Sequence, residues 1–297
     1  MTKLSSEINP VLKVQSVKVI RENSSEKVEL FTLQDEEQAL FNAEVLTTGN
    51  MTSQEARFYI PGSCMENTGM LPVMEYSKTD RNISISPTAR GLSDSVKTPS
   101  AQMDCMILEA IALNKMNNGE IKNIKAVVGY SRGGIIALNA GIRNVLPIEA
   151  IIVMNSTGQF KGDELIVQVA KTLTPEQYSI AGLLALTFGS GAADSEKAEM
   201  SQRFIALNSE VPATTGISDL KDATAACLNE LLRKMPIPTL FIANAEDAIV
   251  PIESTRATAA IMPNASVVEF EAAGHLDFYR LGSEYEQKIS EFLSQAR

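Results

Sequence analysis

The sequence of 297 residues contains no tryptophan, a single histidine and no long apolar run. Its most apolar window, residues 180–188, is far shorter than the roughly 18 apolar residues that a membrane-spanning helix needs. The first ten residues also lack the apolar segment of a secretory signal. These absences argue against an integral membrane protein with helical spans and predict a cytoplasmic location.

Cysteine is scarce, and its spacing argues against both a disulfide framework and a metal site. Cys64, Cys105 and Cys227 are odd in number and widely separated, and the chain has neither a Cys-x-x-Cys pair nor a second histidine. We therefore expect reduced thiols, no bound metal and no cofactor.

The chain also has few basic residues relative to acidic ones. Acidic residues outnumber basic ones by 36 to 26, which gives a net charge of −10, and lysine and arginine form no cluster. Such a chain repels nucleic-acid backbones and anionic membranes, so neither is an expected partner. A small neutral or mildly charged substrate stays open, and nothing in the sequence indicates the oligomeric state.

What the chain does contain is Gly-Tyr-Ser-Arg-Gly-Gly at residues 129–134, between two apolar runs. Residues 126–128 suit a strand buried on both faces, and Ile135 and Leu138 recur at helical spacing. The motif therefore predicts a strand, a sharp turn and a helix, with Ser131 at the corner and glycines where strand and helix come close. Such a turn presents a hydroxyl at the carboxyl edge of a parallel sheet.

A serine nucleophile needs a base, usually histidine, and a carboxylate that orients the base. His275 is the only histidine and follows a late strand-like run, so it is the only candidate. A buried strand at residues 238–243 leads to Asp247, our choice for the carboxylate, with Glu246 as the rival. The competing interpretations are structural: Ser131 as a helix-capping hydroxyl and His275 as a surface-loop side chain.

Three motifs in this order resemble the α/β-hydrolase superfamily. They are the Gly-x-Ser-x-Gly-Gly element, the strand and loop over residues 238–251, and Ala-Gly-His at residues 273–275. The resemblance extends from about residue 57 to residue 293 and implies a catalytic triad of Ser131, Asp247 and His275. It also implies an α/β fold, with a mostly parallel sheet and helices on both faces.

The resemblance further implies an oxyanion hole, in which two backbone N–H groups stabilise a tetrahedral intermediate. One donor is the residue after the nucleophile, Arg132. The other lies in the loop that begins at Pro61, where similar hydrolases carry His-Gly; Ser63 is the expected donor and Cys64 the alternative. The candidate substrate-binding residues lie next to these donors: Gly62, Cys64, Met65 and Tyr130.

Side chains near the proposed site leave two questions open. The Arg132 guanidinium either holds a substrate carboxylate or forms a structural ion pair with Glu66. Met65, Met70 and Met74 either line an adaptable acyl pocket or fill gaps in the core. For both residue types the structural role is the commoner outcome.

The order of strand and helix patterns predicts a core divided by an insertion. Antiparallel strands within residues 13–46 precede the parallel sheet. Residues 158–235 carry only helical patterns and resemble the helical lid of lidded α/β-hydrolases. We therefore expect a hydrolase core over residues 1–157, a lid over residues 158–235 and the rest of the core over residues 236–297.

Apolar periodicity locates the individual helices. Within the insertion the apolar stripes fall at residues 166–173, 178–188, 200–207 and 220–231. Elsewhere helices are predicted over residues 100–116, 252–262 and 283–296, and a polar arm over residues 1–12. Ser100 suits the N-cap of the first of these helices.

Together these features predict a metal-free serine hydrolase that forms an acyl-enzyme with a small ester, thioester or lactone. The same triad serves two alternatives, which are hydrolysis of a carbon–carbon bond in a diketone-like substrate and acyl transfer to an alcohol. A protein of the hydrolase fold that only binds a small ligand is the remaining alternative.

Overall fold

A computed structural model of the protein describes residues 12–95, 100–174, 187–207 and 211–295. The predicted polar arm, apart from its last residue, and most of the predicted helix at residues 178–188 lie outside these ranges. Within them, the chain forms one nine-stranded sheet with helices packed on both faces.

The sheet combines an antiparallel margin with a parallel centre. Its strands, in chain order, are β1 (Lys13–Glu22), β2 (Glu26–Gln34), β3 (Leu40–Gly49), β4 (Glu55–Ile60), β5 (Arg81–Ile85), β6 (Asn123–Tyr130), β7 (Ile151–Met154), β8 (Thr239–Asn244) and β9 (Ala265–Phe270). Their order across the sheet is β1-β2-β3-β5-β4-β6-β7-β8-β9. The pairs β1–β2, β2–β3 and β3–β5 are antiparallel. All the other pairs of neighbouring strands are parallel. The expected antiparallel margin and mostly parallel sheet are confirmed.

The central strands are buried on both faces, as their continuous apolar runs predict. In β6, Val127 packs into one core while Ala126 and Val128 pack into the other. Strands β7 and β8 show the same alternation. Because successive side chains of a strand point to opposite faces, a strand between two cores needs apolar residues at nearly every position.

Helices cover both faces of this sheet. The described chain contains α1 (Leu71–Met74), α2 (Ala101–Asn117), α3 (Arg132–Arg143), α4 (Leu165–Thr172), α5 (Asp194–Leu207), α6 (Ala213–Ala225), α7 (Asn229–Leu232), α8 (Ile252–Ile261) and α9 (Gly282–Gln295). Helices α2, α3 and α8 pack on one face, and α1 and α9 on the other. The predicted helices outside the insertion are confirmed, and the Ser100 side chain caps α2 by accepting the Met103 N–H at 3.1 Å. None of the helices in the described ranges is long and apolar enough to cross a membrane.

The described part of the insertion between β7 and β8 departs from its prediction in the last predicted helix. The single helix expected over residues 220–231 is wrong, because α6 and α7 are separate. Ala226 leaves the helical conformation, at φ −60° and ψ 134°, and the Leu228 N–H donates to the Gly158 carbonyl at 3.0 Å. This contact with the segment after β7 interrupts the helix. Apolar periodicity does not encode such a tertiary contact.

Candidate active site

Ser131 lies at the turn between β6 and α3, at the carboxyl edge of the parallel strands. Its backbone has φ 51° and ψ −122°, a conformation that residues other than glycine rarely adopt. The Ser131 N–H donates to the Met154 carbonyl at 2.9 Å, and its carbonyl accepts the Gly134 N–H at 2.8 Å. These bonds hold the strained turn in place, and Ser131 lines a cavity at this edge.

Two glycines allow the strand and the helix to come this close. A Cβ atom on Gly129 would overlap the carbonyl group of Gly133. A Cβ atom on Gly133 would overlap the Ile60 carbonyl oxygen and lie 2.7 Å from the carbonyl oxygen of Pro61. Because these obstacles are backbone atoms, no side-chain movement can relieve the overlap. The predicted steric role of the motif's glycines is confirmed.

Replacing Gly133 by alanine should lower the free energy of unfolding by about 3 kcal/mol or more, since a methyl group forced against backbone carbonyls must displace the turn. Urea-induced unfolding followed by circular dichroism measures this loss. Gly162→Ala is the matched control, because Gly162 is exposed and nothing lies within 4 Å of a Cβ placed there. Equal stability of the two variants would contradict the steric argument.

The side chains of Ser131, His275 and Asp247 form a continuous line of hydrogen bonds. His275 Nε2 lies 3.1 Å from Ser131 Oγ, and His275 Nδ1 lies 2.7 Å from Asp247 Oδ2. The side chain of His275 is 7% exposed and that of Asp247 is 1% exposed, so the histidine is buried and is not a surface-loop residue. Three groups distant in sequence thus meet in the order hydroxyl, imidazole, carboxylate, as serine catalysis requires.

The turn after β8 orients the carboxylate. Asp247 Oδ1 accepts two backbone N–H groups of this turn, both at 2.8 Å, which leaves Oδ2 for His275. Glu246 is exposed and instead accepts the Ser190 hydroxyl at 2.6 Å. The structure therefore places Asp247 against the imidazole and places Glu246 elsewhere.

Sequence reasoning missed a buried network that holds the loop of His275. The His275 carbonyl accepts the Tyr130 hydroxyl at 2.9 Å and the Asn155 side-chain amide at 2.8 Å. The Asn244 side-chain amide donates to the Gly274 carbonyl at 2.5 Å. The Tyr285 hydroxyl in turn donates to the Asn244 side-chain oxygen at 2.7 Å. The available signal was an asparagine at the end of each of two buried apolar strands, β7 and β8, because a buried amide needs partners.

The two tyrosine hydroxyls of this network remain protonated. Burial raises the pKa of Tyr130 well above its ordinary value, and the nearby negative charge of Asp247 raises it further. Burial likewise raises the pKa of Tyr285 far above its ordinary value. Both hydroxyls are therefore hydrogen-bond donors throughout the neutral pH range.

A cavity of about 80 Å³ opens beside Ser131 and His275. Its wall is largely apolar, with side chains from the loop after β4 and from the helices between β7 and β8. Among them are Met65, Ile166, Phe204 and Leu220. A smaller cavity of about 20 Å³ also touches Ser131 and extends along Arg132.

The predicted substrate-binding residues divide between this cavity and the packing behind it. Cys64, Met65 and Tyr130 line the 80 Å³ cavity. Gly62 packs instead against the turn between β6 and α3 that carries Ser131, here called the elbow, since a Cβ placed there would lie 2.9 Å from the Tyr130 ring. Met70 and Met74 are fully buried in the core, where they fill space between apolar side chains.

Both predicted oxyanion donors border the cavity of about 20 Å³ that touches Ser131, and Ser63 also lines the cavity of about 80 Å³. Arg132 is the first residue of α3, whose first-turn N–H groups have no acceptor within the helix. The close approach of Gly133 to the Pro61 carbonyl brings the Ser63 loop against the elbow. Cys64, the alternative donor, has φ 62°. The assignment of the donors stays a prediction.

The Arg132 side chain has partners that the sequence did not indicate. Its Nη1 lies 2.7 Å from Asp104, and its Nε lies 3.1 Å from Asp222 and 3.4 Å from Asp219. The guanidinium does form structural ion pairs, as one of the two predictions stated, but the predicted pairing with Glu66 is wrong. The aspartates come from α2 and α6, far along the chain, and only the tertiary fold brings them to Arg132. The guanidinium is buried among protein carboxylates, which favours the structural role over contact with a substrate carboxylate.

A larger cavity, of about 310 Å³, lies at the opposite, amino edge of the sheet. It is bordered by Arg57, Asp80 and Lys125, whose charges satisfy one another. Arg57 Nε lies 2.7 Å from one Asp80 oxygen, and Lys125 Nζ lies 2.8 Å from the other. The sole histidine of the chain is at the other edge. The cavity of about 80 Å³ beside Ser131 and His275 is therefore the candidate active site.

The cysteines and acidic residues offer no metal centre in the described ranges. Cys64 and Cys105 are buried and Cys227 is exposed, and none of these three thiols forms a disulfide within the described part of the chain. No group of three or more histidine, cysteine, aspartate or glutamate side chains in this part of the chain could hold a metal ion.

A comparison with family models matches the alpha/beta hydrolase family to residues 80–286, well over half of the chain. The chain belongs to the α/β hydrolase family. The resemblance drawn from the three sequence motifs is thereby confirmed. The fold agrees with this membership, since a lipase-esterase related protein from Clostridium acetobutylicum superposes with a TM-score of 0.73 at 18% identity, over 84% of this chain and 99% of that one.

Two named relatives each match a little over half of this chain. A 2-hydroxymuconate semialdehyde hydrolase from Pseudomonas putida is 26% identical over 181 residues, which span 57% of this chain and 62% of the relative. A pimeloyl-[acyl-carrier protein] methyl ester esterase from Xanthomonas oryzae pv. oryzae is 27% identical over 181 residues, which span 56% of this chain and 70% of the esterase. The match thus spans less than two thirds of the first relative.

Proposed function

We propose that this hydrolase cleaves a small ester, thioester or lactone through a covalent acyl-enzyme on Ser131. The observation that carries the proposal is the hydrogen-bonded line from the Ser131 hydroxyl through His275 to the buried Asp247, beside an apolar cavity. A strained serine at an elbow of this kind is typical of a nucleophile.

In the proposed reaction, Ser131 Oγ attacks the substrate carbonyl while His275 Nε2 takes its proton. Asp247 holds the proton on His275 Nδ1, so that Nε2 is free to accept. The protonated imidazole then gives its proton to the leaving group, whose bond to the acyl carbon breaks. Water attacks the acyl-enzyme in the same way, with His275 again as base, and releases the acid.

The negative charge on the attacked oxygen is stabilised by the backbone N–H groups of Arg132 and Ser63. The position of Arg132 at the N-terminus of α3 supports its role, because the first-turn N–H groups point out of the helix and the helix dipole favours negative charge there. Ser63 is the better second donor since it borders both cavities that touch Ser131.

The helices over residues 158–235 act in this proposal as a lid on a core of residues 1–157 and 236–297. Support comes from the cavity, because α4, α5 and α6 each contribute to its wall: Ile166, Phe204 and Leu220. Such a cover excludes water from the acyl group and shapes the pocket. The cytoplasmic location remains a prediction from the sequence.

A fluorophosphonate probe tests the proposal, since it reacts with activated serines. One probe molecule should attach per chain, and peptide mass spectrometry should locate it on Ser131. A folded protein that stays unlabelled would contradict the enzyme and favour a protein that only binds a ligand. Hydrolysis should then be screened with esters, thioesters and lactones, together with one diketone, because one relative is named for a semialdehyde.

A further inference from the structure

A buried charge network joins the residue after Ser131 to helix α6. The Arg132 guanidinium contacts Asp104, Asp219 and Asp222, and Arg90 also contacts Asp219. The side chains of Arg132, Asp219 and Asp222 are 1%, 5% and 26% exposed. Two guanidinium groups and three carboxylates are thus gathered where α2, α3 and α6 meet.

The main consequence of this network is geometric. Taking charges out of water offsets most of the gain from pairing them, so a buried ionic network contributes little net stability. A planar guanidinium, however, accepts carboxylates only in defined positions. Asp219 and Asp222 are three residues apart on α6 and so lie on one side of the helix. Their contacts to Arg132 therefore define both the distance and the rotation of α6 relative to α3.

A neighbouring side of α6 forms part of the cavity wall. Gly216 and Leu220, one helical turn apart, both line the cavity beside Ser131. Leu220 directly follows Asp219 in the sequence. Any displacement of α6 would therefore change the space between Leu220 and the Ser131 hydroxyl.

The cavity is small and its described lining carries no aspartate, glutamate, lysine or arginine. Its volume of about 80 Å³ is roughly half that of an apolar protein cavity that holds one benzene molecule, about 150 Å³. A carboxylate on the acyl chain would lose its water without gaining a charged partner, because Arg132 is already paired. The space next to Ser131 therefore suits a short uncharged acyl group.

We propose that Arg132 is a positioning residue which, through Asp219 and Asp222, holds α6 over Ser131 and restricts the acyl group to a short uncharged chain. The inference rests on the proposed acyl-enzyme at Ser131. It concerns the side chain of Arg132, whereas the proposed oxyanion contact uses only its backbone N–H.

Acyl-chain selectivity tests this inference. The kcat/KM values for p-nitrophenyl acetate, butyrate and octanoate should be compared between the native protein, Asp219→Asn and Asp222→Asn. In the native protein octanoate should be the poorest substrate, because one methylene alters selectivity in an apolar pocket by about 10-fold or more. In both variants the ratio of octanoate to acetate should rise by about 10-fold as α6 moves away. The monomethyl ester of a dicarboxylic acid, which keeps a free carboxylate on its acyl chain, should be a poor substrate of the native protein.

Arg143→Met is the matched control. Arg143 lies in the last turn of the same helix, α3, and pairs with Glu109 at 2.8 Å, away from α6. Its loss should lower stability without changing the ratio of octanoate to acetate. An equal change of this ratio in the control would overturn the inference, since loss of any α3 ion pair would then suffice.

Leu220→Ala separates the wall from the network that positions it. If Leu220→Ala raises the ratio of octanoate to acetate and the folded aspartate variants do not, the inference fails. Should the aspartate variants not fold, the native profile decides, because a preference for octanoate over butyrate is incompatible with the restricted cavity. Fluorophosphonate labelling keeps the two proposals distinct: an unlabelled Ser131 contradicts the enzyme, whereas a labelled protein with unchanged selectivity contradicts only the role of Arg132.

Discussion

A Ser131→Ala variant should turn over an ester about a million-fold more slowly than the native protein, as removal of the nucleophile does in serine hydrolases. Alanine has no oxygen with which to form the acyl-enzyme. The residual rate should exceed that of the uncatalysed reaction by only about 10³- to 10⁴-fold, which the oxyanion donors and substrate binding supply. Measurements of kcat with p-nitrophenyl acetate give the effect, and circular dichroism checks the fold.

The same experiment shows whether Ser131 and His275 act as one unit. Since Ser131 Oγ and His275 Nε2 lie 3.1 Å apart and share one proton transfer in the proposed reaction, His275→Gln should cost about as much as Ser131→Ala. The double variant should lose no more than either single variant, because a nucleophile without its base is already inactive. If His275→Gln retained turnover within about 100-fold of the native rate, the imidazole would not be the base.

The elbow was predictable because its determinants are local. An apolar run, a glycine on each side of a serine, and a second apolar run at helical spacing specify a strand, a turn and a helix within 20 residues. The structure adds the reason for Gly129 and Gly133, which is the backbone of β4 and α3 lying where a Cβ would be. Local pattern and tertiary packing agree here, so the sequence suffices.

The pairing of His275 with Ser131 and Asp247 was predictable for a different reason. The chain has one histidine, and loops that follow parallel strands converge at one sheet edge. The choice of Asp247 over Glu246 depended on the spacing of the family motif and on the preference for aspartate near the start of a helix. In the structure this choice has a local cause, since the turn after β8 buries Asp247 and leaves the adjacent side chain in solvent.

Contacts between helices that are distant in the chain could not be predicted from the sequence. Arg132 meets Asp219 and Asp222 only because α6 lies across α3, and no spacing rule connects residues about 90 positions apart. The break between α6 and α7 has the same origin, in a hydrogen bond to Gly158. A polar residue within an apolar pattern predicts that some partner exists, but its identity comes from the packing.

Asp247→Asn should lower kcat by about 10⁴-fold, with little change in KM, since Asp247 acts on the imidazole and does not border the cavity. The asparagine oxygen can still accept the N–H groups of Ile249 and Val250, which Asp247 Oδ1 accepts at 2.8 Å. Its amide group would then face His275 Nδ1, where it donates and so requires a bare nitrogen. The ring proton moves to Nε2, and the imidazole can no longer take the proton of Ser131.

Glu246→Gln is the matched control for this substitution, because it makes the same chemical change at the neighbouring position. Glu246 contacts Ser190 and is exposed, so the kcat of the Glu246→Gln variant should stay within about 2-fold of the native value. A larger loss for Glu246→Gln than for Asp247→Asn would reverse the assignment of the carboxylate. If Asp247→Asn instead lowered stability and activity in proportion, the carboxylate would serve the turn after β8 and not the imidazole. The thermal unfolding midpoints of the two variants, measured beside kcat, separate these outcomes.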